Sequence, residues 1–161
     1  MDSYASYWTV LAFGFFYMAV DEASAIHELL TRPIRMLLGN GTLGIFYYAW
    51  VIPFIVIICA LALFFVRFFL HLPPKTKLTF LVATILYIGG AIGFELIDGR
   101  YAELYGEDLT YSMLTVIEES LEMAGAIIFN WALLVYFANN FKEVRIQVDA
   151  VHEKVGPLHK T

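Results

Sequence analysis

The sequence predicts an all-α integral membrane protein, a four-transmembrane-helix bundle with a C-terminal amphipathic extension. Three observations predict it. The chain is 60% hydrophobic and 17% aromatic with only 16% charged residues, where soluble domains are about 45–50% apolar and about 25% charged. The apolar residues fall into four long runs joined by short polar turns, on the scale of the ~20 residues that cross a bilayer core as a helix. Carboxylates nevertheless occur inside three of those runs, which a bilayer tolerates only for a reason.

The first span is read at about 7–30. Its uninterrupted apolar part, Tyr7 to Val20, is too short by itself. The span therefore takes in Asp21, Glu22, His27 and Glu28, reaching about 36 Å at 1.5 Å per residue. Pro33 is expected to stop the helix. The start of the chain lacks the basic region and cleavage site of a secretory signal, so the first span is expected to remain in the mature protein.

The second span is read at about 45–70. Tyr47, Tyr48 and Trp50 read as an interfacial aromatic belt, with Arg67 and His71 marking the opposite surface. Pro53 is expected to kink the helix and free the carbonyl of Ala49. A basic turn, Leu72 to Lys77, leads to the third span at about 78–98, where Gly89, Gly90 and Gly93 form a small-residue face for close helix contact.

An acidic connection containing Glu103, Glu107 and Asp108 leads to the fourth span at about 110–140. Beyond it Val144, Val148, Val151 and Val155 recur at helical spacing amid charges. The chain thus divides into a membrane domain, 1–141, and a cytoplasmic amphipathic tail, 142–161.

Basic residues set the orientation. Arg67, Lys75, Lys77, Lys142, Arg145, Lys154 and Lys160 fall on one side, against Arg32, Arg35 and Arg100 on the other. The positive-inside rule then places the chain in the cytoplasmic (inner) membrane with both termini cytoplasmic. A net charge of -5 with no basic stripe excludes nucleic acid as a partner. The single cysteine, Cys59, excludes a disulfide framework or thiolate cluster and reads as a small apolar side chain.

In this orientation Asp21, Glu22, His27, Glu28, Glu95, Asp98, Glu118, Glu119 and Glu122 reach the outer leaflet from three spans. Glu118 and Glu122 share a helix side, on a stripe that continues through Gly125 and Phe129, with Glu119 on its flank. An acid at the bilayer centre costs ~2.5–3.5 kcal/mol on insertion scales, so four deep ones cost on the order of 10 kcal/mol. That rivals the whole stability of a domain, ~5–15 kcal/mol. Three arginines in loops are too few to offset it. Asp98 against Arg100 and Glu119 against Arg100 are the pairings within reach.

Two offsets remain, a cation and protons. The favoured reading is a divalent or di-metal centre held by Asp21, His27, Glu28, Glu95, Asp98, Glu118, Glu119 and Glu122, serving redox or hydrolytic chemistry or bracing the outer half of the bundle. Carboxylates with one imidazole favour iron or manganese, with calcium or zinc as alternatives. Carboxylate-bridged dimetal bundles carry a Glu-x-x-His pair on two helices, and this chain has none. Two other readings compete: a non-catalytic accessory subunit of a larger membrane complex, and a proton or cation pathway with the acids as relays. A homo-oligomer in the bilayer is expected alongside any of these. With His27 alone inside a span, the sequence does not favour a bis-histidine haem site. Whether the chain is an enzyme stays open.

The pattern Asp21-Glu22 and His27-Glu28, then Gly93-Phe94-Glu95, then Glu118-Glu119-x-x-Glu122-Met123-x-Gly125, resembles uncharacterised bacterial multi-pass membrane proteins over nearly the whole chain. The resemblance implies the fold and no activity. Glu118-Glu119 is also similar to the start of motifs in two membrane protease groups. Met123 stands where one requires arginine, and Glu122 where the other requires lysine.

Overall fold

The computed structural model describes residues 4–39, 41 and 43–140, which are helical with no strand among them. The amphipathic tail expected at 142–161, with Lys142, Arg145, Lys154 and Lys160, lies outside the described residues.

Helix α1 runs Ala5–Ser24 and stops at Ala25, which takes a left-handed conformation at φ 47 and donates its N–H to the Asp21 carbonyl at 2.7 Å. The first span therefore does not run on to Leu30 as one helix. Short helices α2, Ile26–Leu29, and α3, Thr31–Leu37, follow, and together they bend 73° away from α1. A left-handed alanine costs about 1–2 kcal/mol. The Asp21 carboxylate offsets this by accepting the His27 backbone N–H across the bend at 2.9 Å. Pro33 does not stop a helix: it sits in the first turn of α3, where its missing N–H leaves no bond unmade.

After a 3₁₀ turn at Gly44–Phe46, helix α4 runs Val51–His71. Pro53 thus lies in the first turn of α4 and starts the helix without kinking it. The Ala49 carbonyl is not freed, because it accepts the Ile52 N–H at 3.2 Å. Trp50 is buried ahead of α4, at 5% exposure, and is not part of an interfacial belt.

Helix α5 runs Pro74–Ile88, with proline at its first position. It passes through a π-helical segment, Gly89–Phe94, into helix α6, Glu95–Tyr105. The glycines expected to form a small-residue face for close helix contact lie in this wider turn. Gly90 is the one of the three pressed against a neighbour: a β-carbon there would lie 2.8 Å from the Glu118 carbonyl. Helix α7, Leu109–Asn140, closes the described chain.

Ring contacts fix the helix directions. The start of α1 meets the end of α4 and the end of α7, with Tyr7 5.4 Å from Phe68 and Trp8 5.3 Å from Tyr136. The later part of α1 meets earlier parts of both, through Phe15 with Phe129 and Tyr17 with Phe54. Helix α1 is therefore antiparallel to α4 and α7. Phe80 on α5 also meets Phe129, whereas Gly90 meets Glu118, so the α5–α6 rod is antiparallel to α7. One end of the helices is packed by Phe68, Leu72, Phe80, Ala83, Phe129 and Ala132; Trp50, Val51 and Ile92 pack the other.

Three helical stretches are long and apolar enough to cross a membrane: Val51–His71, Pro74–Tyr105 and Leu109–Asn140; a fourth exists if α1 and its bent continuation form one span. Large apolar side chains point outward along them, as with Phe13 at 70% and Leu63 at 77% exposure. Such surfaces suit contact with lipid and suggest a membrane protein.

Candidate functional site

Because the helices alternate in direction, the end of α1, the start of α4, α6 and the start of α7 meet at one end of the molecule. Trp50, Glu95, Asp98, Thr115 and Glu118 come together there. The Trp50 indole N–H donates to Glu95 Oε1 at 2.9 Å. The Thr115 hydroxyl lies 3.3 Å from Asp98 Oδ2 and 3.2 Å from the Tyr111 carbonyl, so its one proton serves either acceptor. Between them Glu118, from α7, is in side-chain hydrogen-bond contact with both Glu95 and Asp98.

A hydrogen bond between two carboxyl groups exists only if one of them carries a proton, since ionised carboxylates are acceptors alone. A proton carried by Glu118 would satisfy contacts of this kind. Asp98 is 1% exposed, and its buried Oδ1 has no hydrogen-bond donor among the described residues. A buried acceptor left in that state costs about 1–3 kcal/mol. A proton on the adjacent Glu118 would supply the missing donor.

The stripe read from the sequence on the fourth span is present: Glu118, Gly125, Phe129 and Ala132 are the buried residues of α7. Glu122 follows on the same side, half-buried, with its Cγ 2.9 Å from where a Gly90 β-carbon would lie. Glu119 is exposed on the flank.

The acids of the first span are arranged differently. Asp21 Oδ2 pairs with His27 Nδ1 at 2.7 Å, so these two side chains hold each other across the bend. Glu22 and Glu28 are exposed. The His27 ring lies 4.4 Å from the Trp50 ring, which brings the first span to the edge of the carboxyl contacts. Arg100 takes neither expected partner: it donates to Glu103 at 2.6 Å, leaving Asp98 to Thr115 and Glu118. Among the described residues no group of three or more His, Cys, Asp or Glu side chains is arranged to hold a metal ion.

Residues 1–137 match the family described as Domain of unknown function (DUF8692). The chain belongs to this family. No curated protein and no solved structure matches it. Membership in a family without an assigned activity agrees with the resemblance drawn from the sequence, and leaves function to be argued from the residues themselves.

Sequence reasoning missed Trp50, Tyr48 and Tyr111 at this end. Tyr48 and Tyr111 join the connection before α4 to α7 through their hydroxyls, 2.8 Å apart. The available signal was the placement of Trp50 three residues before Pro53, which marks a helix start and therefore a fixed, non-helical approach to it.

Proposed function

We propose that the chain is a four-span membrane protein in which Glu95, Glu118 and Asp98 hold and relay a proton, making it a proton pathway or the proton-handling part of one. The spans are α1 with its bent continuation, α4, the α5–α6 rod and α7. The observation that carries the reading is Asp98: a carboxylate sealed from solvent, with one oxygen lacking a donor and a second carboxyl in contact. Buried acids in membrane segments that line up carboxyl to carboxyl are suited to passing protons.

The same arrangement explains how the acids are tolerated. A shared proton removes formal charge from the low-dielectric interior, and the Trp50 and Thr115 donors satisfy remaining oxygens. No observed grouping favours the iron or manganese centre over this. Arg67, Lys75 and Lys77 at the opposite end support an inner-membrane orientation with cytoplasmic termini and the carboxyls toward the outer face.

The test is proton flux into liposomes containing the purified full chain, followed with an entrapped pH-sensitive dye. Wild-type flux that Glu118→Gln abolishes and Glu103→Gln leaves unchanged supports the reading. Absence of wild-type flux, or flux unaffected by Glu118→Gln, overturns the pathway. Infrared spectroscopy of the same samples reads the proton directly: a protonated-carboxyl C=O band at neutral pH should disappear in Glu118→Gln.

A further inference from the structure

The carboxyl contacts are tied to the bend in the first span through one residue, Trp50. Its indole is buried and meets a carboxyl at its edge and two rings beside it. On its edge, the N–H donates to Glu95 Oε1 at 2.9 Å. The ring itself lies 4.4 Å from the His27 ring, at 51° between planes, with Phe54 set perpendicular to it at 5.0 Å. His27 in turn is clamped at two points by Asp21, through its backbone N–H and its Nδ1. Asp21 is also the residue whose carbonyl takes the N–H of left-handed Ala25. The bend, the histidine, the indole and the carboxyl thus form one connected series.

The chemistry of the series is directional. Glu95 has two oxygens, and a neutral N–H on Oε1 stabilises its ionised form, since such a bond is stronger to a carboxylate than to a carboxylic acid. The proton shared with Glu118 is then drawn to rest on Glu118. Loss of the indole N–H would remove that bias, and Glu95 would compete for the proton. The His27 ring lies against the indole, so a movement of the 26–37 segment about Ala25 would reach Glu95 through Trp50.

We propose that Trp50 is the positioning residue of the proton site: its N–H holds Glu95 as the acceptor for the Glu118 proton, and its contact with His27 places that bond under control of the bent first span. The inference rests on the proton-holding reading above. The ionisable groups surrounding Glu95 are His27 from α2, Tyr48 from the approach to α4, Asp98 on its own helix, and Tyr111, Glu118 and Glu122 from α7. Among the described residues, Trp50 is the one N–H donor that binds the Glu95 carboxyl.

The decisive variant is Trp50→Phe, which keeps an aromatic ring and deletes the N–H. It is compared with wild type and Glu118→Gln by infrared spectroscopy and by the pH profile of liposome flux, using the full chain. Expected is a protonated-carboxyl band that persists but shifts in frequency, with the flux midpoint moved upward by about one pH unit, the scale of one hydrogen bond to a charged group. A band and a midpoint identical to wild type overturn the role of Trp50.

A second measurement does not depend on altering Trp50. The chain has three tryptophans, so Trp8→Phe with Trp131→Phe leaves Trp50 as the sole indole reporter. Its emission should shift with pH over the range in which the infrared carboxyl band titrates, and Asp21→Ala should displace that shift. Emission constant across the carboxyl titration overturns the inference. The two proposals fail separately: a band lost in Glu118→Gln but untouched by Trp50→Phe removes only the positioning role, whereas a band unaffected by Glu118→Gln removes the proton-holding reading.

Discussion

Gly125 on α7 lies against the backbone of Tyr87 on α5: a β-carbon on Gly125 would stand 2.7 Å from the Tyr87 nitrogen and 2.8 Å from the Ala83 carbonyl. Two helices can approach this closely only where a side chain is absent. In a bilayer, where burial of apolar surface gives no preference for helix over lipid, such close packing is a main source of association. Gly90 makes the reciprocal approach from the other helix, against Glu118 and Glu122. The two contacts set the depth of α7 along the α5–α6 rod, which is what places Glu118 beside Glu95 and Asp98.

Gly125→Val should therefore separate α5 from α7. The expected destabilisation is at least about 1–3 kcal/mol, the usual cost of overpacking, because the atoms met are backbone and cannot swing aside. Gly14→Ala is the matched control: nothing lies within 4 Å of a β-carbon there, and helix propensity favours alanine by at most about 1 kcal/mol. Denaturant unfolding in detergent, followed by circular dichroism, measures both. Equal midpoints for Gly125→Val and Gly14→Ala would show that the close approach is not needed.

The stripe through Glu118, Gly125 and Phe129 was legible in the sequence because it depends only on helical spacing within one uninterrupted apolar run. The sites that were not legible depend on contacts between segments. Alanine favours helix, so nothing at Ala25 announces the break; its cause is Asp21 reaching across to His27. Pro53 has the same composition signal whether it kinks a helix or begins one. Where it begins one, the residue before the helix, Trp50, leaves the lipid-facing belt and becomes a buried donor. The π-helical turn at Gly89–Phe94 likewise meets α7 at Gly90, a contact that glycine permits but does not dictate.

Asp108 gives a pH-dependent prediction away from the spans. Its Oδ1 accepts the Tyr111 backbone N–H at 3.0 Å, capping α7, and its Oδ2 accepts the Tyr101 hydroxyl at 3.0 Å. The Tyr111 backbone bond, assisted by Tyr101, holds the carboxyl below its ordinary range. The unfolded chain then binds the proton more tightly than the folded one. The cap is fully effective above the ordinary carboxylate range and is lost as pH falls through the lower folded value. Amide exchange at Tyr111 and Ser112 should rise in Asp108→Ala at neutral pH, toward the level wild type shows in acid. Exchange insensitive to the substitution would remove the cap.

Elemental analysis distinguishes a proton from a metal as the neutralising agent. Asp21 and His27 are occupied with each other, and Glu28 and Glu119 are exposed, so the set expected from the sequence does not converge. If a proton is the neutralising agent, iron, manganese, calcium and zinc should stay at background after mild extraction, and a chelator should leave the melting temperature unchanged. Stoichiometric metal that Glu118→Ala removes would replace the proton with a cation.

Cysteine accessibility tests the crossing pattern and the orientation together. In a Cys59→Ser background, Lys75→Cys places a thiol in the first turn of α5 and Glu107→Cys places one between α6 and α7. If the α5–α6 rod crosses the membrane with the carboxyls outward, an impermeant maleimide labels Glu107→Cys in intact cells and Lys75→Cys only after permeabilisation. Leu38→Cys, just past α3, decides the bent pair: labelling from outside, while an N-terminal tag stays protected, makes α1 with α2 and α3 a complete span. Labelling of Leu38→Cys only from the Lys75 side would mean that the 73° bend turns the chain back before it crosses. The pairing of His27 with Asp21 would then belong to a re-entrant segment. Labelling reversed at all three positions would keep four crossings and turn the carboxyls toward the cytoplasm.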